Sequence, residues 1–96
     1  MRGSESIINT LLKEVDSLTF RIRNIKQCLT RTFNTALINR LFKENELIFL
    51  RLNEILKISK LLQKHNPDKI TFSSLLEEKC KRSLHEATTE RNLFFL

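Results

Sequence analysis

Four side chains in this 96-residue sequence carry the chemistry that metal binding or covalent catalysis would use: Cys28, Cys80, His65 and His85. Their spacing does not assemble a site. Cys80 and His85 are five residues apart, which is wrong for one helical face, and His85 and Glu86 are neighbours and so point in different directions. Neither histidine has a second ligand at metal spacing. A nucleophilic cysteine needs a base and an electropositive, partly open setting, and nothing along the chain supplies them. The four therefore read as two surface histidines and two cysteines used as small hydrophobes, Cys28 beside a seam and Cys80 on one. The single glycine, Gly3, stands near the terminus, so a glycine-rich phosphate loop is excluded. The expectation is a protein with no catalytic residues, no metal, no cofactor and no small-molecule substrate.

The run Lys13-Glu14-Val15-Asp16-Ser17-Leu18 resembles the opening of the first helix of the chorismate mutases, which are small helical enzymes. Where that family's pattern carries its substrate-binding arginine, this chain has Leu12. A dicarboxylate would find no cationic partner there, so the resemblance does not imply a mutase.

Charge is the one uneven feature. Arg21, Arg23, Lys26, Arg31, Arg40 and Lys43 lie between Ser17 and Lys43 with no acidic residue among them. A turn at 31–35 would gather them around one end of a hairpin, where they could meet the phosphates of nucleic acid or anionic headgroups. Base readout or stacking usually needs aromatics or Asn/Gln among the cations. Phe20 and Phe33 could stack, but Phe33 is expected to pack. Nucleic acid is accordingly the runner-up partner, contacted through phosphates.

These residues must be positioned by helices. One glycine and one proline, Pro67, cannot supply the many tight turns of a β-sandwich or barrel. Hydrophobic residues at 41% and charged residues at 29% are too apolar a mixture for a disordered chain, and 96 residues suffice for one domain, 1–96. The net charge of +6 favours anionic partners without specifying a fold. The longest apolar runs have four residues, far short of the about 20 of a membrane span. With two cysteines and no leader pattern, the expected location is the cytoplasm or another reducing, soluble compartment. Met1-Arg2-Gly3-Ser4 resembles an expression-vector leader.

Ile8, Leu11, Val15, Leu18, Ile22, Ile25 and Leu29 recur at alternating spacings of three and four, a heptad stripe. It predicts a helix over about 5–31, capped by Ser4 or Ser6. The stripe loses phase at Thr30-Arg31-Thr32-Phe33-Asn34-Thr35, where a turn at 31–35 is the first choice and one bent helix the alternative. A second helix over about 35–65 carries Ile38, Leu41, Asn45, Ile48, Leu52, Ile55, Ser59 and Leu62 on its main stripe. Asn45 would there either fix register or sit at a wet edge. A second row, Leu47, Leu50, Ile58 and Leu61, lies roughly opposite, with Glu46, Asn53, Lys57 and Lys64 as a polar strip between. A helix with two apolar faces needs both covered, which predicts a central helix with helix 1 on one side and something else on the other.

Asn66-Pro67-Asp68 predicts a turn. Thr71 as cap, or the box Ser74 to Glu77, would open a third helix over about 72–91, with Phe72, Leu75, Leu76, Cys80, Leu84 and Ala87 as its stripe. Its wet face is marked by Glu77 with Lys81 and Glu78 with Arg82.

Taken together, the pattern predicts an all-α fold: a long antiparallel hairpin plus a shorter third helix, with coiled-coil-like packing. Phe20, Leu47, Leu50, Ile58 and Leu61, with the tail Leu93, Phe94, Phe95 and Leu96, form a surplus of apolar surface. That surplus predicts a protein–protein interaction module, an oligomer or a small adaptor, whose partner is itself or another helical protein.

Overall fold

The stripe of the first segment becomes the inner edge of helix α1 (Arg2–Arg31), the first of three helices in the computed structural model. The backbone is described over residues 2–65 and 70–94, and side chains over 6–65 and 72–88. Ile8, Leu11, Val15, Ile22, Ile25 and Leu29 are all buried, and Leu18 is half-buried against them. The helix begins at Arg2 rather than near 5, so the backbone of Ser4 and Ser6 lies inside it rather than at its start. The Ser6 carbonyl instead accepts a bond from Thr10 Oγ1 at 2.8 Å. Nothing before Ile8 interrupts the helix except Gly3, and a single glycine costs only about 1 kcal/mol.

Residues 32–34 break the helix, as the loss of phase predicts. The Asn34 N–H donates to Thr32 Oγ1 at 3.2 Å, and Asn34 Oδ1 accepts from the Leu37 N–H at 3.2 Å. Asn34 is thus the N-cap of α2 (Thr35–His65). No described residue takes positive φ, so the reversal needs no glycine.

Cross-helix bonds fix the order of the elements. Stepping seven residues back along α1, from Arg21 to Glu14, moves the partner seven forward along α2, from Glu44 to Arg51, so these helices are antiparallel. Stepping seven forward along α1, from Asp16 to Arg23, moves the partner seven forward along helix α3 (Ile70–Phe94), from Lys79 to Glu86. Helices α1 and α3 are therefore parallel, and both pack on the same inner face of α2. The result is long, 50 × 22 × 15 Å, and its radius of gyration of 15.3 Å exceeds the about 12.5 Å of a rounder domain of this length. Among the described residues, no helix is long and apolar enough to cross a membrane.

Helix α2 buries Leu41, Asn45, Ile48, Leu52, Ile55 and Ser59. Asn45 is in the core rather than at a wet edge: it is 2% exposed, and its Nδ2 donates to the Ala87 carbonyl at 3.3 Å.

Helix α3 departs most from expectation. It begins at Ile70, so Thr71 and Ser74 lie inside the helix rather than at its cap. Its buried edge is Ser73, Leu76, Cys80, Ser83 and Ala87, again at alternating three and four, while Phe72 and Leu75 are exposed. The phase is set by size rather than by hydrophobicity. Small side chains let α3 lie close to its neighbours, and the serine hydroxyls find partners. Ser83 Oγ meets Thr19 Oγ1, which itself donates to the Val15 carbonyl at 2.7 Å. The ion pairs Glu77–Lys81 and Glu78–Arg82 form as their spacing predicts, at 3.9 and 3.2 Å.

Candidate interaction surface

Because α1 and α3 share the inner face of α2, nothing in the described chain covers the outer one. Leu47, Leu50 and Leu61 are 66%, 57% and 55% exposed. Ile58 does not join them: it is half-buried and packs against the core beside the flank that meets α1. Lys57 and Lys64 fall seven and fourteen residues after Leu50, so they continue its row rather than separate two rows. The exposed outer edge is thus Leu47, Leu50, Glu54, Lys57, Leu61 and Lys64. Its spacings alternate three and four, which makes it a second helical seam with two opposite charges at its centre.

Beside this face, Arg51 ties α2 to α1. Its guanidinium donates through Nε and Nη2 to the two carboxylate oxygens of Glu14 on α1, at 2.5 and 2.8 Å, and through Nη1 to Glu54 at 3.0 Å. The hydrogen bond from Arg51 holds the Glu14 carboxyl below the usual glutamate range, against a smaller opposing effect of burial. The Arg51 cation is stabilised in turn, first by Glu14 and then by Glu54. Glu54 keeps most of its side chain in solvent, 65% exposed, and so retains acceptor capacity facing outward.

The other sequence-selected apolar residues do not join this edge. Phe20 is exposed on the outward side of α1. The side chains of Leu93 and Phe94, and the whole of Phe95 and Leu96, lie outside the described residues. Ile7, Leu37, Phe72 and Leu75 are exposed as well, although no periodicity singles them out as surface. Ile7, Leu61, Phe72 and Leu75 share the end of the bundle opposite the hairpin turn, since α1 and α3 begin where α2 ends.

The six cations do not act as one cluster. Arg21 Nε donates to Glu44 at 2.6 Å and Arg23 pairs with Glu86 at 3.2 Å, both well down the bundle from the turn. Lys26 is exposed, and Arg31, Arg40 and Lys43, nearer the turn, meet no acidic side chain among the described residues. Between the two helices stands Phe33, 98% exposed rather than packed.

An open groove of about 560 Å³ separates α1 from α3, with Asp16, Arg23, Lys79, Arg82 and Glu86 in its walls. Its charges alternate in sign and pair across it, Lys79 with Asp16 at 3.2 Å, so it presents no field of one sign to a ligand. The cysteines part company: Cys80 is sealed in the core, where burial pushes its thiol up to about 11, whereas Cys28 is exposed rather than packed. His65 and His85 are exposed on different helices, and no three His, Cys, Asp or Glu among the described residues converge on a metal-sized site.

No family model matches the chain, and no curated protein or solved structure matches it.

Proposed function

We propose that this protein is a non-enzymatic interaction module that seats a helical partner, a second copy or a different protein, on the outer face of α2. One observation carries the reading: three leucines stand exposed in a line on a helix whose opposite face is wholly spent on the core. Lines of this kind on a soluble surface mark association sites. Fully burying each leucine is worth roughly 1.5–3 kcal/mol, and the charges interspersed along the same row, Glu54, Lys57 and Lys64, keep the free chain soluble. The non-enzymatic part is supported by Cys80, which is buried with its thiol held protonated, and by Cys28 and His65, which lie at opposite ends of the hairpin.

A second reading is favoured by Phe33. A fully exposed aromatic between Arg31 and the Arg40–Lys43 turn of α2 combines a stacking face with unpaired cations, as single-stranded nucleic acid requires. One experiment separates the two. Gently purified protein is passed through size exclusion with light scattering and refractive index while absorbance is followed at 260 nm. The chain has no Trp and no Tyr, so its own ultraviolet signal is small. A mass above the 11.4 kDa of one chain with no 260 nm signal supports the interaction module. A strong 260 nm signal that falls away in high salt moves the assignment to the tip.

A further inference from the structure

We infer that the occupant of the outer face of α2 is a second copy of this chain, packed antiparallel through Leu50, Glu54, Lys57 and Leu61. The inference rests on the interaction reading above and adds the partner and the register. In an antiparallel helix pair related by a two-fold axis, the layer order of one helix meets the reverse order of the other. The exposed edge reads Leu50, Glu54, Lys57, Leu61, with spacings of four, three and four. Reversed, the spacings are unchanged. Leu50 then faces Leu61 of the second copy, Glu54 faces Lys57, and each contact occurs twice. Leu47 falls opposite Lys64, whose hydrocarbon stem can lie over it while the ammonium reaches water.

Other arrangements of the same edge are worse. A parallel, in-register pair sets Glu54 against Glu54 and Lys57 against Lys57, two like-charge layers at the centre. Sliding the antiparallel pair by one heptad toward the turn puts Leu47 against Lys57 and Leu50 against Glu54, and sliding it the other way puts Leu61 against Lys57. Only one register satisfies both the leucines and the charges, and such complementarity fixes register and partner choice in helical pairs. The groups needed are available: Glu54 is 65% exposed, and Lys57 is exposed with no acidic partner among the described residues.

The test is a charge exchange, read as mass against concentration by sedimentation equilibrium with helix content followed by circular dichroism. Wild type is expected to pass from one chain to two as concentration rises. Glu54→Lys alone and Lys57→Glu alone each place like charges in both central layers, and each should weaken the dimer by about tenfold. Mixing the two variants rejoins opposite charges in both layers, so a mixed dimer should form at wild-type strength, and the doubly exchanged chain should again pair with itself. A mixture no tighter than its components overturns the register. A wild type that stays monomeric throughout overturns the second copy as occupant. In that event Leu50→Glu/Leu61→Glu decides the broader reading separately: loss of a different bound protein leaves it standing, and an unchanged set of bound proteins removes it as well.

Discussion

Leu50 and Leu52 are two residues apart on one helix, yet one is 57% exposed and the other fully buried. The same contrast runs the length of α2, with Leu41, Ile48, Leu52 and Ile55 facing α1 and α3, and Leu47, Leu50 and Leu61 facing solvent. Both edges have the spacing of a helical seam, and both carry leucine. What separates them is what interrupts them. The inner edge is broken by Asn45 and Ser59, uncharged groups that each donate to a nearby carbonyl, Ala87 and Leu56. The outer edge is broken by Glu54, Lys57 and Lys64, which need water or a partner of opposite charge. An edge interrupted by amide and hydroxyl belongs inside one chain; an edge interrupted by full charges can form late, between chains, and come apart again.

The largest test of this contrast is truncation on each face. Leu52→Ala should lower unfolding stability by about 2–5 kcal/mol, because it leaves a cavity in a core that cannot collapse around it. Leu50→Ala, measured by urea unfolding at a concentration where the chain is monomeric, should change stability by no more than about 0.5 kcal/mol. Comparable losses at the two positions would erase the distinction between the faces.

A smaller effect sharpens what the inner edge is for. Asn45 Nδ2 is bonded, but its Oδ1 is buried without a partner. An orphaned buried acceptor carries its desolvation penalty unrelieved, so Asn45→Leu should stabilise the monomer by about 1 kcal/mol in urea unfolding. Lower stability would mean that the bond to Ala87 outweighs that penalty.

The flank between the faces should give less still. Arg51 and Glu14 are partly solvated, and Arg51→Ala should cost about 0.2–1 kcal/mol near neutral pH. The sign with pH follows from the lowered Glu14 value. The contribution is fully present above the ordinary carboxyl value of 4.5 and is lost as pH falls through the lower folded one. Unfolding curves of wild type and Arg51→Ala should therefore converge in acid. A gap that widened instead would show that Arg51 acts by packing alone.

Thiol chemistry repeats the inside–outside contrast with no change in stability. A thiol reagent should label one cysteine of the native protein quickly, Cys28, and reach Cys80 only on unfolding, since burial both hides that thiol and holds it protonated. Equal labelling of both would mean that α3 is not seated on the core.

Much of this was legible in the residues, and unevenly. Helix α1 could be read almost residue by residue, because Ile8 to Leu29 form one stripe of branched apolar side chains and its other faces are mostly polar. A turn at 31–35 was visible as a loss of phase, although the capping role of Asn34 emerges only from its bond to the Leu37 N–H. The inner stripe of α2 was also readable, down to Asn45 and Ser59. On α3 the stripe through Leu76, Cys80, Leu84 and Ala87 was readable, but the buried Ser73 and Ser83 were not, because Phe72 and Leu75 outweigh them on any hydrophobic scale while close approach of helices selects for the smaller pair. The second row of α2 could be named as surplus apolar surface, and Leu47, Leu50 and Leu61 are indeed the exposed ones, but that α1 and α3 would both take the main stripe and that Ile58 would be half-buried was not legible. Periodicity names faces of a helix, and only the placement of α1 and α3 decides which face is left. Phe33 escaped for a related reason: a large aromatic in a turn suggests packing, but the tip of a long hairpin has nothing beside it to pack against.

The most direct measurement is the mass of the wild-type chain and of Leu50→Glu/Leu61→Glu over one concentration series, by light scattering, with helix content from circular dichroism. The expected result is association in wild type and a single chain of unchanged helix content in the variant. Association of both chains to the same mass across the series, with helix content intact, would contradict the assignment of the outer face of α2 as the surface on which this protein associates.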